Sequence, residues 1–354
     1  MRFAIKNSIF KHAVNDAKQL AIDRSESSVY AGIMLIVKGG RLSVLGSDSN
    51  TTLATSVIVD DPVDGEVVIA ARPLYALLSH CEDSADILVS ASDTELKVDS
   101  PELSTPYTFR AMQAKFPRPP AAVKPPNTVD FTKIGKAVAA IRSAVDFEHG
   151  GVQLVSDETT LSIFATNSYQ LHSCEIENAG FGSFSGVVSL DVLEQLQRHK
   201  ITSVTTDESD RNIRFSGPNT LLSTRLLSVA TPDVQSILKN LPAHHCLVNI
   251  ADLRRKLDRL AAISTASESL TLTVGDNKIV LGAADDSLGA GSEVIETVTS
   301  AEESFVLSPT YLKSMLAAHS ADNVTLRYQG DFHPLFITSE DPLVVVTAVA
   351  VMKS

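Results

Sequence analysis

Apolar positions recur along this chain in six helical stripes set at a near-constant interval. Their leading residues are Val14, Leu74, Ile134, Leu193, Leu253 and Leu312, separated by 60, 60, 59, 60 and 59 residues. A fixed period of this kind marks a repeated structural unit. Alternate stripes repeat more closely still: Leu74, Leu193 and Leu312 lie 119 apart, as do Leu77, Leu196 and Met315. The larger unit is therefore a third of the chain. Within each third the apolar period changes from 3.6 to 2 and back, which predicts a helix, several strands, a second helix and further strands.

The first third predicts a helix near Phe10 to Ile22, strands over Ile33 to Val37, Leu42 to Leu45 and Thr52 to Val59 with a Gly39-Gly40 turn, and a helix from Ala71 to His80. In the second, Asp130 is placed to cap Phe131 to Val145, strands follow at Val152 to Val155, Leu161 to Ala165 and Gln170 to Ile176, and Ser189 is placed to cap a helix from Leu190 to His199. The last third runs from an Asn249 cap through Ile250 to Ile263, then strands at Leu270 to Val274, Ile279 to Leu281 and Val294 to Val298. Ser308-Pro309 then opens a helix to His319, since proline's fixed φ suits the first turn and its missing N–H costs nothing there. Leu343 to Met352, too short to span a bilayer, reads as a buried strand.

These patterns predict an α+β protein of three similar domains, each with two helices packed on one face of antiparallel sheets whose other face meets solvent. The proline-rich stretch Phe116 to Asn127 cannot continue a helix or sit in a central strand and is expected to be an extended connector. A second boundary is placed near Pro242, giving domains 1–120, 121–242 and 243–354.

The 354 residues carry a formal charge of −12 and a pI near 5.2, which taken alone disfavours a nucleic-acid binder. The distribution changes that picture. The six helical segments together hold +8, which leaves −20 for everything else. On the helix after Asn249, Arg255 and Arg259 lie opposite the Leu253, Leu257 and Leu260 stripe, and Lys136 lies opposite Ile134, Val138 and Ile141. Basic helices above acidic strands suit a broad contact with duplex phosphates that is mobile rather than sequence-selective.

The candidate chemistry is sparse. Cys81, Cys174 and Cys246 fall one per third, which fits packing residues in a reducing cytoplasm. Residues 1–19 contain Lys6, Lys11, Asp16 and Lys18, unlike the apolar core of a signal peptide. His244-His245-Cys246 lacks a second ligand pair at zinc spacing and reads as a junction loop. Asp207-Glu208-Ser209-Asp210 lacks the glycine of a calcium loop, and the stretches holding Gly180, Gly182 and Gly186, and Gly289 and Gly291, read as turns. No nucleophile and base can be paired by spacing, so no enzyme activity, metal or cofactor is expected.

Several strings, in order and on the matching repeats, resemble the bacterial DNA polymerase III β subunit, the sliding clamp. They are Met1-Arg2-Phe3, Ala165-Thr166-Asn167-Ser168-Tyr169-Gln170-Leu171 where the family has A-T-D-G-H-R-L, Ser223-Thr224-Arg225-Leu226, Pro232-Asp233, Pro309-Thr310-Tyr311-Leu312 and Ala350-Val351-Met352-Lys353-Ser354. The resemblance implies three clamp domains per chain, forming half of a closed ring, and a cytoplasmic head-to-tail homodimer around duplex DNA with no catalysis of its own. It implies a cleft for short linear peptides from the polymerase III α subunit, the clamp loader and repair polymerases. By motif that cleft includes Thr166, Tyr169, Gln170, Leu171, Pro232, Ile237, Val349 and Met352. The family's glycine, histidine and arginine are here Ser168, Tyr169 and Gln170, so pocket shape and a cationic donor differ. Arg24 takes the place of a loop arginine near the hole, beside the charge-based candidates Lys136, Arg255 and Arg259. Tyr107 or Phe109 of one chain and Ile263 of another are the dimer-edge candidates. The competing reading is a repeat-built interaction scaffold without DNA encirclement.

Overall fold

The first repeat of the chain, in a computed structural model, comprises β1 (Arg2–Lys6), α1 (Asn7–Leu20), β2 (Gly32–Lys38), β3 (Arg41–Ser47), β4 (Thr51–Ile58), β5 (Asp60–Val63), β6 (Gly65–Ala70), α2 (Ala71–Ser79), β7 (Asp86–Ala91), β8 (Glu95–Asp99) and β9 (Tyr107–Arg110). The second comprises β10 (Asn127–Thr128), α3 (Phe131–Ile141), β11 (Gly151–Ser156), β12 (Thr160–Thr166), β13 (Gln170–Glu177), β14 (Phe184–Ser189), α4 (Leu190–Arg198), β15 (Ser203–Asp207), β16 (Asn212–Ser216) and β17 (Thr220–Arg225). A short helix, α5 (Val234–Lys239), precedes the third: β18 (His244–Asn249), α6 (Ile250–Leu260), β19 (Leu270–Gly275), β20 (Lys278–Asp285), β21 (Gly289–Glu296), β22 (Glu303–Leu307), α7 (Pro309–Ala318), β23 (Asn323–Tyr328), β24 (Leu335–Ser339) and β25 (Val344–Val349). The structure describes residues 1–21, 28–119, 126–145, 151–177, 180–207, 211–229, 232–263, 269–285, 287–330, 333–340 and 343–350.

The helices form where the stripes predict. Asp130 Oδ1 accepts the Thr132 N–H at 3.0 Å and Asn249 Oδ1 accepts the Asp252 N–H at 3.0 Å, so two orphan donors of the first turns are met by side chains. Leu253, Leu257 and Leu260 are buried while Arg255 and Arg259 are exposed. Each fully buried leucine contributes about 1.5–3 kcal/mol relative to an exposed one.

The chain divides into two compact units, residues 1–129 with 196–226, and 130–195 with 227–354. The first holds the sheet β10-β15-β16-β17-β4-β3-β2-β6 and the sheet β5-β1-β7-β8-β9; α1 lies over β3 and β4 with α2 beside it. The second holds the sheet β14-β11-β12-β13-β25-β24-β23-β18 and the sheet β21-β20-β19-β22; α3 packs on β13, α7 on β25, and α6 on α7. Unit boundaries cross the thirds because strands of successive repeats pair. In the first unit β4 joins β17, from Thr51 opposite Thr224 to Thr55 opposite Thr220. In the second the repeat counterpart of β4, β13, joins β25, from Gln170 opposite Val349 to Glu175 opposite Val344.

Several expectations need correction. His244 to Cys246 is not a loop but the start of the edge strand β18, where alternate residues Cys246 and Val248 are buried and pair across to β23. Gly186, Gly289 and Gly291 lie within strands rather than turns. β21 stops at Glu296, leaving Val298 80% exposed. The outer faces of the sheets are not simply solvated. Met34, Leu45, Val68 and Phe116 form a buried cluster in the first unit, and Phe164, Leu171, Val234, Phe336 and Ala348 form another in the second. The expected connector is thus pinned at its start by Phe116. Its far end pairs as β10 with β15, and residues 120–125 lie outside the described ones. All three cysteines are buried, as expected of packing residues.

Candidate functional site

The hairpin between β12 and β13 builds the centre of the site. Asn167 Oδ1 accepts the backbone N–H groups of Tyr169 and Gln170, at 3.2 and 3.0 Å, and the Thr166 hydroxyl donates to Gln170 O at 2.9 Å. This side-chain turn holds Ser168 at φ 71°, a left-handed backbone that favours glycine. Its neighbour Tyr169 is thrown outward, 60% exposed, and stacks on Tyr311 with ring centroids 5.7 Å apart. Gln170 turns inward and is buried; its Nε2 donates to Ser143 O at 2.7 Å, while its Oε1 has no partner among the described residues. Leu171 joins the outer-face cluster with Phe164 and Ala348.

A cavity of about 630 Å³ opens beside this hairpin. Of the sequence-predicted cleft residues, Thr166, Tyr169, Gln170, Leu171, Pro232, Ile237 and Val349 all line it. Val349 stands across from Gln170 in the β13–β25 ladder, and Ala350 N–H donates to Tyr169 O at 2.9 Å. Ile237 reaches the cavity from α5, whose first turn is capped by Asp233 Oδ1 accepting the Ser236 N–H at 3.1 Å. Met352 lies outside the described residues. Sequence reasoning missed Gly151, Gln153, Phe164, Val187, Val229, Pro334 and Ala348. The remaining lining residue, Ala165, belongs with Ser168 and Ala350 to the strings already quoted; none of the described lining residues is charged.

The other candidates fall elsewhere. Arg24 lies outside the described residues. Lys136 is exposed on α3. Arg255 and Arg259 are exposed on α6 but engaged: Arg255 Nη2 lies 2.5 Å from Asp252 Oδ1, and Arg259 Nη1 3.3 Å from Glu293 Oε1. Exposed pairs of this kind are weak, so phosphate oxygens could replace the carboxylates. Tyr107, 51% exposed, and half-buried Phe109 lie on the edge strand β9. Ile263 follows α6, and its Cδ1 lies against Gly291 of the edge strand β21, 2.7 Å from where a Cβ would stand. Among the described residues no group of three or more His, Cys, Asp or Glu could hold a metal ion, and no helix is long and apolar enough to cross a membrane.

Residues 1–114 match the sequence model of the DNA polymerase III beta subunit, N-terminal domain. The crystal structure of the DNA polymerase III subunit beta from Pseudomonas aeruginosa matches over 100% of both chains, with a TM-score of 0.89 at 17% identity. This is the fold of the DNA polymerase III β subunit. The sequence resembles that family well beyond its first third. A beta sliding clamp of Caulobacter vibrioides is 22% identical over 322 residues, 84% of each chain, and one of Streptococcus pneumoniae serotype 4 is 20% identical over 377 residues, 99% of each.

Proposed function

We propose that this chain is a DNA sliding clamp, a non-catalytic processivity subunit built from repeats at 1–120, 121–242 and 243–354. Two copies close head to tail into a ring around duplex DNA, and the cleft beside the Thr166–Leu171 hairpin takes short linear peptides from the polymerase III α subunit, the clamp loader and repair polymerases.

One observation carries the ring. The β4–β17 and β13–β25 ladders each join half-sheets of successive repeats into eight strands. The third repeat's counterpart of β4 is β21, and the first repeat's counterpart of β17 is β9; among the described residues both stand at sheet edges without a further strand partner. An open edge presents a row of unpaired N–H and C=O groups and an exposed Tyr107 that need covering. A second copy supplies both partners: β9 of one chain pairs with β21 of the other, and the reverse pairing closes the ring. This brings Tyr107 and Phe109 to Ile263 across the joint.

The relatives named beta sliding clamps support the reading as a whole, and a cleft whose described lining is uncharged and mostly apolar supports a peptide occupant. Lys136, Arg255 and Arg259, with Arg24, are the cations assigned to the DNA. Light scattering on the eluting protein tests the ring: a mass near twice 37.9 kDa is expected, and a monomer at micromolar concentration would overturn it.

A further inference from the structure

The first repeat contains a counterpart of the cleft. Met34 stands across from Val68 in the β2–β6 ladder, and 119 positions on Gln153 stands across from Val187 in β11–β14. In both repeats the departing connector is tied to the outer strand by the same backbone bond. Met112 N–H donates to Val68 O at 2.8 Å, and Leu227 N–H donates to Val187 O at 2.8 Å. From those two anchors the sequences read Met-Gln-Ala-Lys-Phe-Pro over 112–117 and Leu-Ser-Val-Ala-Thr-Pro over 227–232. The prolines coincide, and Phe116 is matched in sequence by Thr231, which lies outside the described residues.

Phe116 is 5% exposed and packs with Met34, Leu45 and Val68. Shifting those three positions by 119 gives Gln153, Phe164 and Val187, all of which line the open cleft. The residues that enclose a phenyl ring in the first repeat thus enclose an open cavity in the second. We infer that the first repeat holds a second cleft of the same build whose ring seat is filled by the chain's own Phe116, leaving a groove of about 850 Å³ beside it, and that this plug limits each chain to one peptide site with a free ring seat.

Physical reasons favour a closed state in the natural chain. The ring is tethered beside its seat at an effective concentration on the order of millimolar, which a free peptide at micromolar concentration cannot match. The tether is also held on both sides, by the Met112 bond and by Arg118 Nη2, which donates to both Glu66 oxygens at 2.7 Å. The groove around the plug differs from the open cleft in charge, with Glu66, Asp93, Lys115 and Arg118 along its wall. Once opened it should take an apolar peptide with a ring-sized anchor and charged flanks, where the other cleft takes an uncharged one.

This inference rests on reading the open cleft as a peptide site, and the test separates the two. The full-length natural chain, Phe116→Thr, Thr231→Phe and the double variant are titrated calorimetrically with a synthetic nonapeptide of leucine, serine and one phenylalanine. The natural chain should bind one peptide per chain, Phe116→Thr two, Thr231→Phe none, and the double variant one, at the opposite site. Thr231→Phe hollows no core, so it reports even if Phe116→Thr fails to fold. One peptide on a folded Phe116→Thr chain, or natural binding by Thr231→Phe, would overturn the plugged cleft alone. A natural chain that binds none would overturn the peptide reading and this inference with it.

Discussion

Lowering the pH from 7 to 5 should cost this chain about 4 kcal/mol of folding stability through two side chains, His172 and His319. Both are buried beneath the strands that floor the cleft. His172 Nδ1 lies 3.3 Å from Ala140 O and its Nε2 has no partner; His319 Nδ1 lies 2.6 Å from Ser339 Oγ, and its Nε2 3.1 Å from Thr347 Oγ1. Thr347 stands across from His172 in the β13–β25 ladder. Burial lowers the His172 pKa from 6.5 to about 4, against a smaller opposing pull from Ala140 O. Burial likewise lowers His319 to about 4, and the nearby His172 and Arg254 push the same way. In the unfolded chain both imidazoles titrate near 6.5, so between pH 6.5 and 4 the unfolded state binds more protons and stability falls as pH falls. Above about pH 7.5 the two groups have almost no effect. For one such group the linkage amounts to about 2 kcal/mol between pH 7 and 5, and about 3 kcal/mol once pH is below 4. Set against a total of about 5–15 kcal/mol for a typical domain, the pair is a large fraction. Urea unfolding followed by circular dichroism at pH 7, 6 and 5 measures the loss, and His172→Leu should remove about half of the pH dependence. A His172→Leu protein whose urea midpoint shifts with pH as much as the parent's would refute the reasoning.

Three further outcomes are expected. Gln170→Arg should raise the affinity of a cleft-binding peptide carrying one aspartate by about tenfold or more relative to its neutral analogue, because a charged hydrogen bond replaces an unpaired buried carboxylate; fluorescence anisotropy showing no change in that ratio counts against it. Tyr107→Glu on the open edge of β9 should weaken self-association by roughly 10–100-fold, about 1–3 kcal/mol for lost apolar burial and a desolvated charge, and sedimentation equilibrium at unchanged dimer affinity would contradict the joint. Reversing Lys136, Arg255 and Arg259 to glutamate should lower the salt concentration at which the protein leaves a short linear duplex, where no closed path retains it. Because exposed ion pairs contribute only about 0–1 kcal/mol each, the melting temperature should barely move, and unchanged salt dependence would remove these residues from the DNA surface.

The repeat was legible because its signal is periodic: the leucine stripes fix the helices, and Asp130 and Asn249 cap two of them in the structure as in the sequence. What escaped notice depends on register between distant strands. α5 is six residues long, too short to show a helical period, and only its Asp233 cap announces it. His244 to Cys246 looks like a cluster until β23, some eighty residues away, pairs with it. The cleft hairpin was found through the strings around Thr166, but Gln153 and Val187 reach the cavity only because β11 and β14 pair. Counting charges helix by helix could not show that Arg259 pairs with Glu293 of β21, a contact made only by the fold.

The central claim is topological linkage to DNA, and its most direct measurement compares retention on two substrates. The protein is loaded onto a nicked circular plasmid by a bacterial clamp loader, and half the sample is then cut once with a restriction enzyme before gel filtration. A closed ring should stay with the circle and be lost from the linear form, because only free ends let it slide away. Equal retention on both would mean that the protein holds DNA by surface contact, and the ring would be wrong.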